Sequence, residues 1–210
     1  MFTIFMLGNI ASGKSTASRY LERRGAVRID LDELARGLYV PGSALVQEIA
    51  GAFGWDVLDE DGGVRRDVLA ARAFATPEET RRLNDLVHPV LLEQLGLRLL
   101  PANCCSVMMP EHDLAVVEVS APAGFEDAFG LADAVITITA PREQRRARAR
   151  QRGMTGEDFD RRADVQPAEA DLVALADVVI DNTAADDTLF AALDAFLAEH
   201  GLLQGEGAHA

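Results

Sequence analysis

The chain has 210 residues, of which 49% are hydrophobic and 26% are charged, and its formal net charge is −14. This composition is typical of a globular protein that can bury a substantial core. The negative charge argues against a general nucleic-acid-binding protein, because it would repel a phosphate backbone at long range.

The first predicted elements are a strand, a glycine-containing loop and a helix. Residues 3–7 form an apolar run typical of a buried strand, and residues 14–24 carry apolar side chains at helical spacing. Between them, residues 8–15 have the G-x-x-x-x-G-K-S spacing of a phosphate-binding loop. The sequence therefore predicts a nucleotide site in which backbone amides and a helix N-terminus hold the phosphates.

Lys14 lies inside this loop and is the only lysine in the chain, beside nineteen arginines. Position 14 thus favours a compact ammonium on a flexible stem over a planar guanidinium. We expect Lys14 to reach the β- and γ-phosphates of ATP and the Ser15 hydroxyl to hold Mg²⁺. The motif predicts the following nucleotide-binding residues: Gly8, Asn9, Ile10, Ala11, Ser12, Gly13, Lys14, Ser15 and Thr16.

A second strand is predicted over residues 26–30, followed by a helix over residues 31–38. Asp30 and Asp32 would then lie at the carboxyl end of that strand, where open α/β sheets bind their ligands. Either carboxylate could accept the proton of an acceptor hydroxyl. Two structural alternatives stay open: Asp30 precedes Glu33 as in a capping box, and Asp32 in the first turn would favour the helix dipole.

Helices are predicted over most of the chain from residue 44 to residue 100. The uncharged stretch at residues 99–110 is too short to span a bilayer. The only cysteines, Cys104 and Cys105, are adjacent and provide no disulfide framework. We therefore expect a protein without a membrane segment or signal peptide in a reducing cytoplasm.

Three further strands complete the predicted sheet, at about 114–119, 134–140 and 177–181. Their apolar continuity fits parallel strands that are buried on both faces. Because helical segments separate them, the sequence predicts a doubly wound, five-stranded α/β fold. A final amphipathic helix is predicted over residues 184–200.

Several short motifs follow the phosphate loop along the chain. They are Arg28-Ile29-Asp30-Leu31-Asp32 with Ala35-Arg36, Pro41-Gly42-Ser43, Phe53-Gly54, Leu58 with Asp61-Gly62, Ala73-Phe74, His88-Pro89, and Ala176-Asp177-Val178-Val179-Ile180-Asp181-Asn182. In their order and spacing over about residues 4–185, these motifs make the chain resemble the dephospho-CoA kinase family. The resemblance implies a P-loop kinase that transfers the γ-phosphate of ATP to the ribose 3′-hydroxyl of dephospho-CoA, giving coenzyme A and ADP.

The resemblance also implies roles for individual residues. Asp32 matches the general base, and Lys14 with Mg²⁺ on Ser15 matches the γ-phosphate clamp. Asn182 is expected near the adenine of ATP.

The expected acceptor site comprises Asp32, Arg66 and His88. His88 lies near apolar leucines and precedes Pro89, and proline prefers the first turn of a helix. A structural role for His88, as a hydrogen-bonded core residue or at a helix start, therefore stays open.

The family has a closing lid after its fourth strand, which we expect here at about residues 142–166. Arg146 and Arg150 are expected to contact ATP from this lid. In the alignment with the family, the paired arginines of the family fall one residue away from Arg146 and Arg150. Arg148 and Arg152 are therefore the alternative pair, and an arginine-rich solvated face is a third interpretation. In all, we expect one domain over residues 1–203, with a helical substrate-binding insertion at about 38–112, and a disordered tail at 204–210.

Three departures from the family pattern are visible. Asn9 and Ala11 replace glycines in the phosphate loop, which predicts a change of loop shape near Ala11. The P-L-L-x-E segment after the third strand is missing except for Phe125-Glu126, which affects acceptor recognition most. The stretch Glu169-Ala170-Asp171 replaces a basic residue before the last strand.

Glu118 near the end of the third strand could hold a magnesium-bound water or could be a strand-end charge. Two other functional classes also stay open, namely another small-molecule kinase on the same core and a nucleotide-binding module without turnover. In each case we expect a monomer that binds neither nucleic acid nor membrane.

Overall fold

Five strands form one parallel sheet, as predicted. The computed structural model describes residues 1–99, 113–184 and 187–202. The strands are β1 (Phe2–Leu7), β2 (Val27–Asp30), β3 (Leu114–Glu118), β4 (Ala134–Thr139) and β5 (Val178–Asp181). The predicted tail at 204–210 and the two cysteines lie outside the described residues.

The spatial order of the strands differs from their order in the chain. The sheet runs β2-β3-β1-β4-β5, so β3 lies between the first two strands. Glu118 at the end of β3 is in register with Met6 of β1 and with Asp30 of β2. The carboxyl ends of these strands therefore meet at one edge of the sheet, where an open α/β sheet binds its ligands.

Nine α-helices occur among the described residues. They are α1 (Lys14–Arg23), α2 (Leu31–Gly37), α3 (Ala44–Phe53), α4 (Arg66–Ala73), α5 (Pro77–Leu99), α6 (Arg142–Gln151), α7 (Gly156–Ala163), α8 (Glu169–Ala174) and α9 (Thr188–Glu199). Two 3₁₀ helices cover Trp55–Val57 and Glu126–Leu131. None of the helices in the described part of the chain is both long enough and apolar enough to cross a lipid bilayer.

The chain divides into two compact units, Met1–Leu31 with Asn103–Ala210, and Asp32–Ala102. In the first unit, apolar side chains of β1, β3 and β4 pack with side chains of α1 and α9 into one core. The strands are apolar at successive positions because both faces of the sheet are buried. This packing fixes the edge of the sheet from which the phosphate loop leaves.

The second unit is helical, and α3, α4 and α5 share its core. Ser43 begins α3 by accepting a hydrogen bond from the Val46 amide at 3.4 Å, which satisfies one free donor of the first turn. The expected single domain, the insertion bounds and the lid bounds stay predictions.

Helix α5 continues through Pro89, so the proposal that His88 stands at a helix start is wrong. An interior proline costs about 3 kcal/mol, because it removes a hydrogen bond and crowds the preceding turn. Burial of one leucine side chain contributes about 1.5–3 kcal/mol. The buried stripe of α5 repeats every fourth residue and outweighs that cost; its members are Leu83, Val87, Leu91, Leu95 and Leu99.

Candidate active site

The phosphate loop connects β1 to α1, where the sequence places it. Gly8 and Gly13 have φ angles of 149° and 118°, which residues with side chains rarely adopt. A Cβ atom on Gly8 would lie 2.5 Å from Ser12 Oγ, and one on Gly13 would collide with the Asn182 side chain. The two glycines therefore allow the tight turn from strand to helix.

Ala11 adopts a conformation that normally belongs to glycine. Its φ angle is 60°, and within the described ranges it is the only residue other than glycine with a positive φ. Ala11 therefore has a strained left-handed backbone, and the change of loop shape relative to the family stays a prediction. Asn9 does not have a positive φ, and its side-chain Nδ2 donates to the Pro167 carbonyl oxygen at 3.3 Å.

Replacing Ala11 with glycine is expected to raise the free energy of unfolding by about 1 kcal/mol, because glycine adopts a positive φ without a Cβ clash. Ala147, an exposed residue within α6, provides the control. There the same substitution should lower the free energy of unfolding by about 1 kcal/mol through lost helix propensity. Urea titrations measure both changes, and a destabilised Ala11→Gly protein would contradict the strain at Ala11.

Lys14 begins α1 and reaches the segment that follows β3. Its Nζ donates to Ser120 Oγ at 2.5 Å. The preceding Gly13 has a left-handed backbone and stands at the N-terminal end of α1. The ammonium and the N-terminus of α1 therefore place two sources of positive charge at the loop.

Glu118 links the phosphate loop to the sheet. It is 3% exposed and accepts hydrogen bonds from Ser15 Oγ at 2.7 Å, Ser18 Oγ at 2.5 Å and Arg28 Nε at 2.6 Å. Burial by itself raises the pKa of Glu118, but these hydrogen bonds and the charge of Arg28 outweigh it and lower that pKa below its ordinary value. Glu118 is therefore a buried carboxylate that receives the Ser15 hydroxyl.

Glu118→Gln is expected to lower the free energy of unfolding at pH 7 by about 1–3 kcal/mol, because it removes charged hydrogen bonds and leaves Arg28 without its buried counter-charge. The folded protein lowers the pKa of Glu118, so this stabilisation is present above the unfolded pKa and is lost as pH falls through the folded pKa. The difference between the two proteins should therefore narrow below about pH 4.5.

Urea titrations at pH 7 and at acidic pH test this expectation. Glu22→Gln, the same change at an exposed position of α1, is the matched control and should leave stability unchanged. A pH-independent difference between the Glu118 protein and its Gln variant would show that the carboxylate charge contributes nothing.

A cleft of about 270 Å³ opens beside the loop. Asn182, at the end of β5, donates through Nδ2 to the Ser12 carbonyl oxygen at 2.6 Å. Arg148 on α6 donates to the carbonyl oxygens of Ser12 at 3.2 Å and of Asn182 at 2.6 Å. These contacts hold Arg148 and Asn182 against the loop. The cleft is lined by Gly13, Thr16, Arg148, Arg152, Asn182, Ala184, Leu189 and Phe190.

The candidate arginines of α6 lie on two faces of that helix. Arg148 and Arg152 line the cleft beside the loop, whereas Arg146 and Arg150 line a second cleft on α6. Arg146 also donates to Asp160 Oδ2 of α7, at 3.2 Å through Nε and at 2.9 Å through Nη2. Residues four apart on a helix share a face and residues two apart do not, so only one pair can face the loop. The pair that lines the cleft beside the loop is Arg148 and Arg152, which was the alternative to Arg146 and Arg150.

The residues of the expected acceptor site belong to the second unit. Asp32 lies in the first turn of α2, Arg66 begins α4, and His88 lies within α5. Asp32 and Arg66 are exposed, and His88 is half-buried. Burial raises the pKa of Tyr39, and the charge of Arg66 opposes that rise, so these two side chains interact. The roles of Asp32, Arg66 and His88 in the reaction stay predictions.

Four residues that contact the loop or its neighbours were not selected from the sequence: Ser18, Arg28, Ser120 and Gln166. Arg28 is a cation within a short strand, and Ser18 lies one helical turn after Lys14. The positions of both residues in the sequence could therefore have identified them as candidates for the site. Ser120 and Gln166 lie outside helices and strands, where periodicity predicts no neighbours. Their contacts become visible only when the register of the sheet is known.

The arrangement can hold a polyphosphate together with a divalent cation. Mg²⁺ takes oxygen ligands and retains several waters, and the Ser15 hydroxyl with the Glu118 carboxylate behind it supplies such oxygens. The part of the chain described here contains no cluster of three or more His, Cys, Asp or Glu that could enclose a metal. The Ser15 hydroxyl and the Glu118 carboxylate fit an ion that keeps several waters and also binds phosphate.

Comparison with known proteins agrees with this chemistry. A family model described as dephospho-CoA kinase matches residues 2–187. A dephospho-CoA kinase from Corynebacterium diphtheriae is 38% identical over 192 residues, which cover 90% of this chain and 92% of that protein.

Solved structures show the same fold. A protein from Thermus thermophilus superposes with a TM-score of 0.74 at 30% identity, covering 94% of this chain and 97% of its own. A shikimate kinase from Bacteroides thetaiotaomicron superposes with a TM-score of 0.53 at 12% identity, covering 96% and 99%. The fold is thus that of the P-loop kinases.

Proposed function

The chain belongs to the dephospho-CoA kinase family, and on that premise we propose how its own residues transfer the γ-phosphate of ATP to the ribose 3′-hydroxyl of dephospho-CoA. This reaction is the last step of coenzyme A synthesis, and its products are coenzyme A and ADP. One observation carries the proposal. Lys14 and Ser15 of the phosphate loop and the cleft beside the loop lie together in one unit.

ATP binds with its phosphates in the loop and its nucleoside in the adjoining cleft. Ser12 Oγ supports the first assignment, because the Ser12 side chain is 1% exposed and this oxygen has no partner among the described residues. A buried hydroxyl of this kind is a donor for a phosphate oxygen. Arg148 and Arg152 support the second, since they line the cleft and a planar guanidinium can stack on the face of a base. We assign them the lid-arginine role.

Ser15 would hold Mg²⁺, with Glu118 behind it orienting the hydroxyl and accepting from a metal-bound water. When bound, the ion neutralises charge on the β- and γ-phosphates. Phosphoryl transfer needs positioning and charge neutralisation more than covalent help, so Lys14 and the loop amides supply most of the stabilisation from the protein.

Asp32 acts as the general base toward the acceptor. Its carboxylate accepts the proton of the 3′-hydroxyl, the hydroxyl oxygen bonds to the γ-phosphorus, and the bond from that phosphorus to the bridging oxygen of ADP breaks. The support is the motif match at Asp32 and its place two residues after β2. Arg66 and His88 are proposed contacts of the acceptor.

Arg148→Ala is expected to raise the KM for ATP about tenfold, because the cleft loses a cation and the Ser12 carbonyl loses a donor. Arg146→Ala is the matched control on the same helix, and its KM should stay within about threefold of the parent value. Steady-state titrations with ATP compare the two. A larger effect at Arg146 would return the lid role to Arg146 and Arg150.

Acceptor dependence tests the whole proposal. ADP formation is measured with ATP and Mg²⁺ alone, with dephospho-CoA, and with nucleosides or nucleoside monophosphates added instead. The expected result is strong stimulation by dephospho-CoA only, with a product phosphorylated at the 3′-position. Stimulation by another acceptor would instead indicate a related small-molecule kinase. The altered segment around Ser120 is the reason for including the other acceptors.

We further propose that the enzyme works as a cytoplasmic monomer.

A further inference from the structure

The front of the phosphate loop, residues 9–11, is tied to a distant part of the chain. The Ile10 amide donates to Gln166 Oε1 at 2.7 Å, and Asn9 Nδ2 donates to the Pro167 carbonyl oxygen at 3.3 Å. Gln166 and Pro167 lie between α7 and α8, more than 150 residues after the loop. The loop front therefore depends on a segment outside the strand and helix that flank it.

Arg145 holds the same peptide from its other side. Its side chain is 8% exposed, and its guanidinium donates to the Ala140 carbonyl oxygen at 3.0 Å and to the Ile10 carbonyl oxygen at 3.5 Å. Burial of a cation is costly, and burial lowers the pKa of Arg145, so main-chain carbonyls must compensate. Both backbone groups of Ile10 thus have partners from outside the loop.

The next residue explains why this support matters. Ala11 has a φ angle of 60°, where an alanine is strained and tends to relax toward negative φ. Relaxation would rotate the peptides on both sides of Ala11 and turn the following amides away from the phosphates. Fixing Ile10 on both sides opposes that rotation.

We propose that Gln166 is a positioning residue of the nucleotide site: through its hydrogen bond to the Ile10 amide, it keeps the loop front in the left-handed turn that binds ATP. The Ile10 amide is used in this bond and the Ser12 amide donates to the Asn9 carbonyl oxygen at 3.0 Å, so the amides that receive the phosphates are those after Ser12. This inference rests on the proposed function only in that the loop binds ATP; it does not depend on the acceptor.

The experiment measures ATP dissociation constants of full-length proteins by calorimetry. Gln166→Met keeps the side-chain volume but removes the amide oxygen, and we expect it to raise the Kd about tenfold. Gln166→Asn, whose amide is one methylene shorter, should do the same and covers the case that the Met variant does not fold. Gln151→Met, at an exposed position of α6, is the matched control and should leave the Kd within about twofold.

Ala11→Gly distinguishes positioning from a general role in folding. Because glycine takes a positive φ without strain, the effect of Gln166→Met should shrink from about tenfold to less than about threefold when Ala11→Gly is present. Equal Kd values for the parent and Gln166→Met, or a full effect in the Ala11→Gly background together with a lower melting temperature, would overturn the proposal. A parent protein that binds ATP but does not phosphorylate dephospho-CoA would refute the proposed function alone.

Discussion

Lys14→Ala should lower kcat for phosphoryl transfer by about 10³, which is the upper end of the effect of removing one preorganised donor from a charged transition state. The physical reason is that Lys14 is the only side chain of the loop with a full positive charge, and we propose that this charge reaches the γ-phosphate. The measurement is ADP formation at saturating ATP and dephospho-CoA. A kcat within tenfold of the parent would remove Lys14 from the mechanism.

Lys14→Arg is the sharper companion variant. It keeps the charge but replaces a compact ammonium with a planar, longer group that cannot take the same position beside Ser120. We expect at least about a tenfold loss of kcat from this change as well. Ser120→Ala controls for the contact itself: it leaves the ammonium in place, so kcat should change far less than in either Lys14 variant.

Asp32→Asn should slow phosphoryl transfer by about 10² or more while the Kd for ATP stays nearly constant, as expected when a general base is lost. Single-turnover rates and calorimetry separate the two quantities. Asp30→Asn decides between Asp30, the last residue of β2, and Asp32 in the first turn of α2. Glu33→Gln, a neighbouring exposed carboxylate in the same turn, is the control and should leave the rate unchanged.

Equal transfer rates for the parent and Asp32→Asn would leave Asp32 as a residue that stabilises the start of α2. A large effect at Asp30 alone would move the base to the end of the strand, where Asp30 is in register with Glu118.

The sheet could be predicted because its strands carry their own signal. Each strand is a short apolar run between turn residues, and burial on both faces requires such a run whatever the neighbours are. The phosphate loop was equally readable, since glycines, lysine and serine must stand at fixed spacing. The path of α5 through Pro89 was not, because local preference opposes it and only tertiary burial of its leucines favours it.

The contacts behind the loop depend on pairings that the sequence does not encode locally. Glu118 could be recognised as a strand-end acid, but its bonds to Ser15 and Arg28 require that β3 lie between β1 and β2. Likewise, the sequence did not show which of Arg146 and Arg148 faces the loop. The answer depends on the rotation of α6 about its axis, and an uncertainty of one residue in the motif alignment leaves that rotation undefined.

The strand order has a consequence for how the protein is made. A ribosome delivers β1 and β2 early, yet neither can pair with the other, because the strand that separates them emerges more than 80 residues later. The Ser12 carbonyl oxygen can accept its hydrogen bond only after Asn182, 170 positions downstream, has been synthesised. Long-range pairing of this kind slows folding. The nascent chain should therefore acquire nucleotide affinity only after Asn182 has left the ribosome.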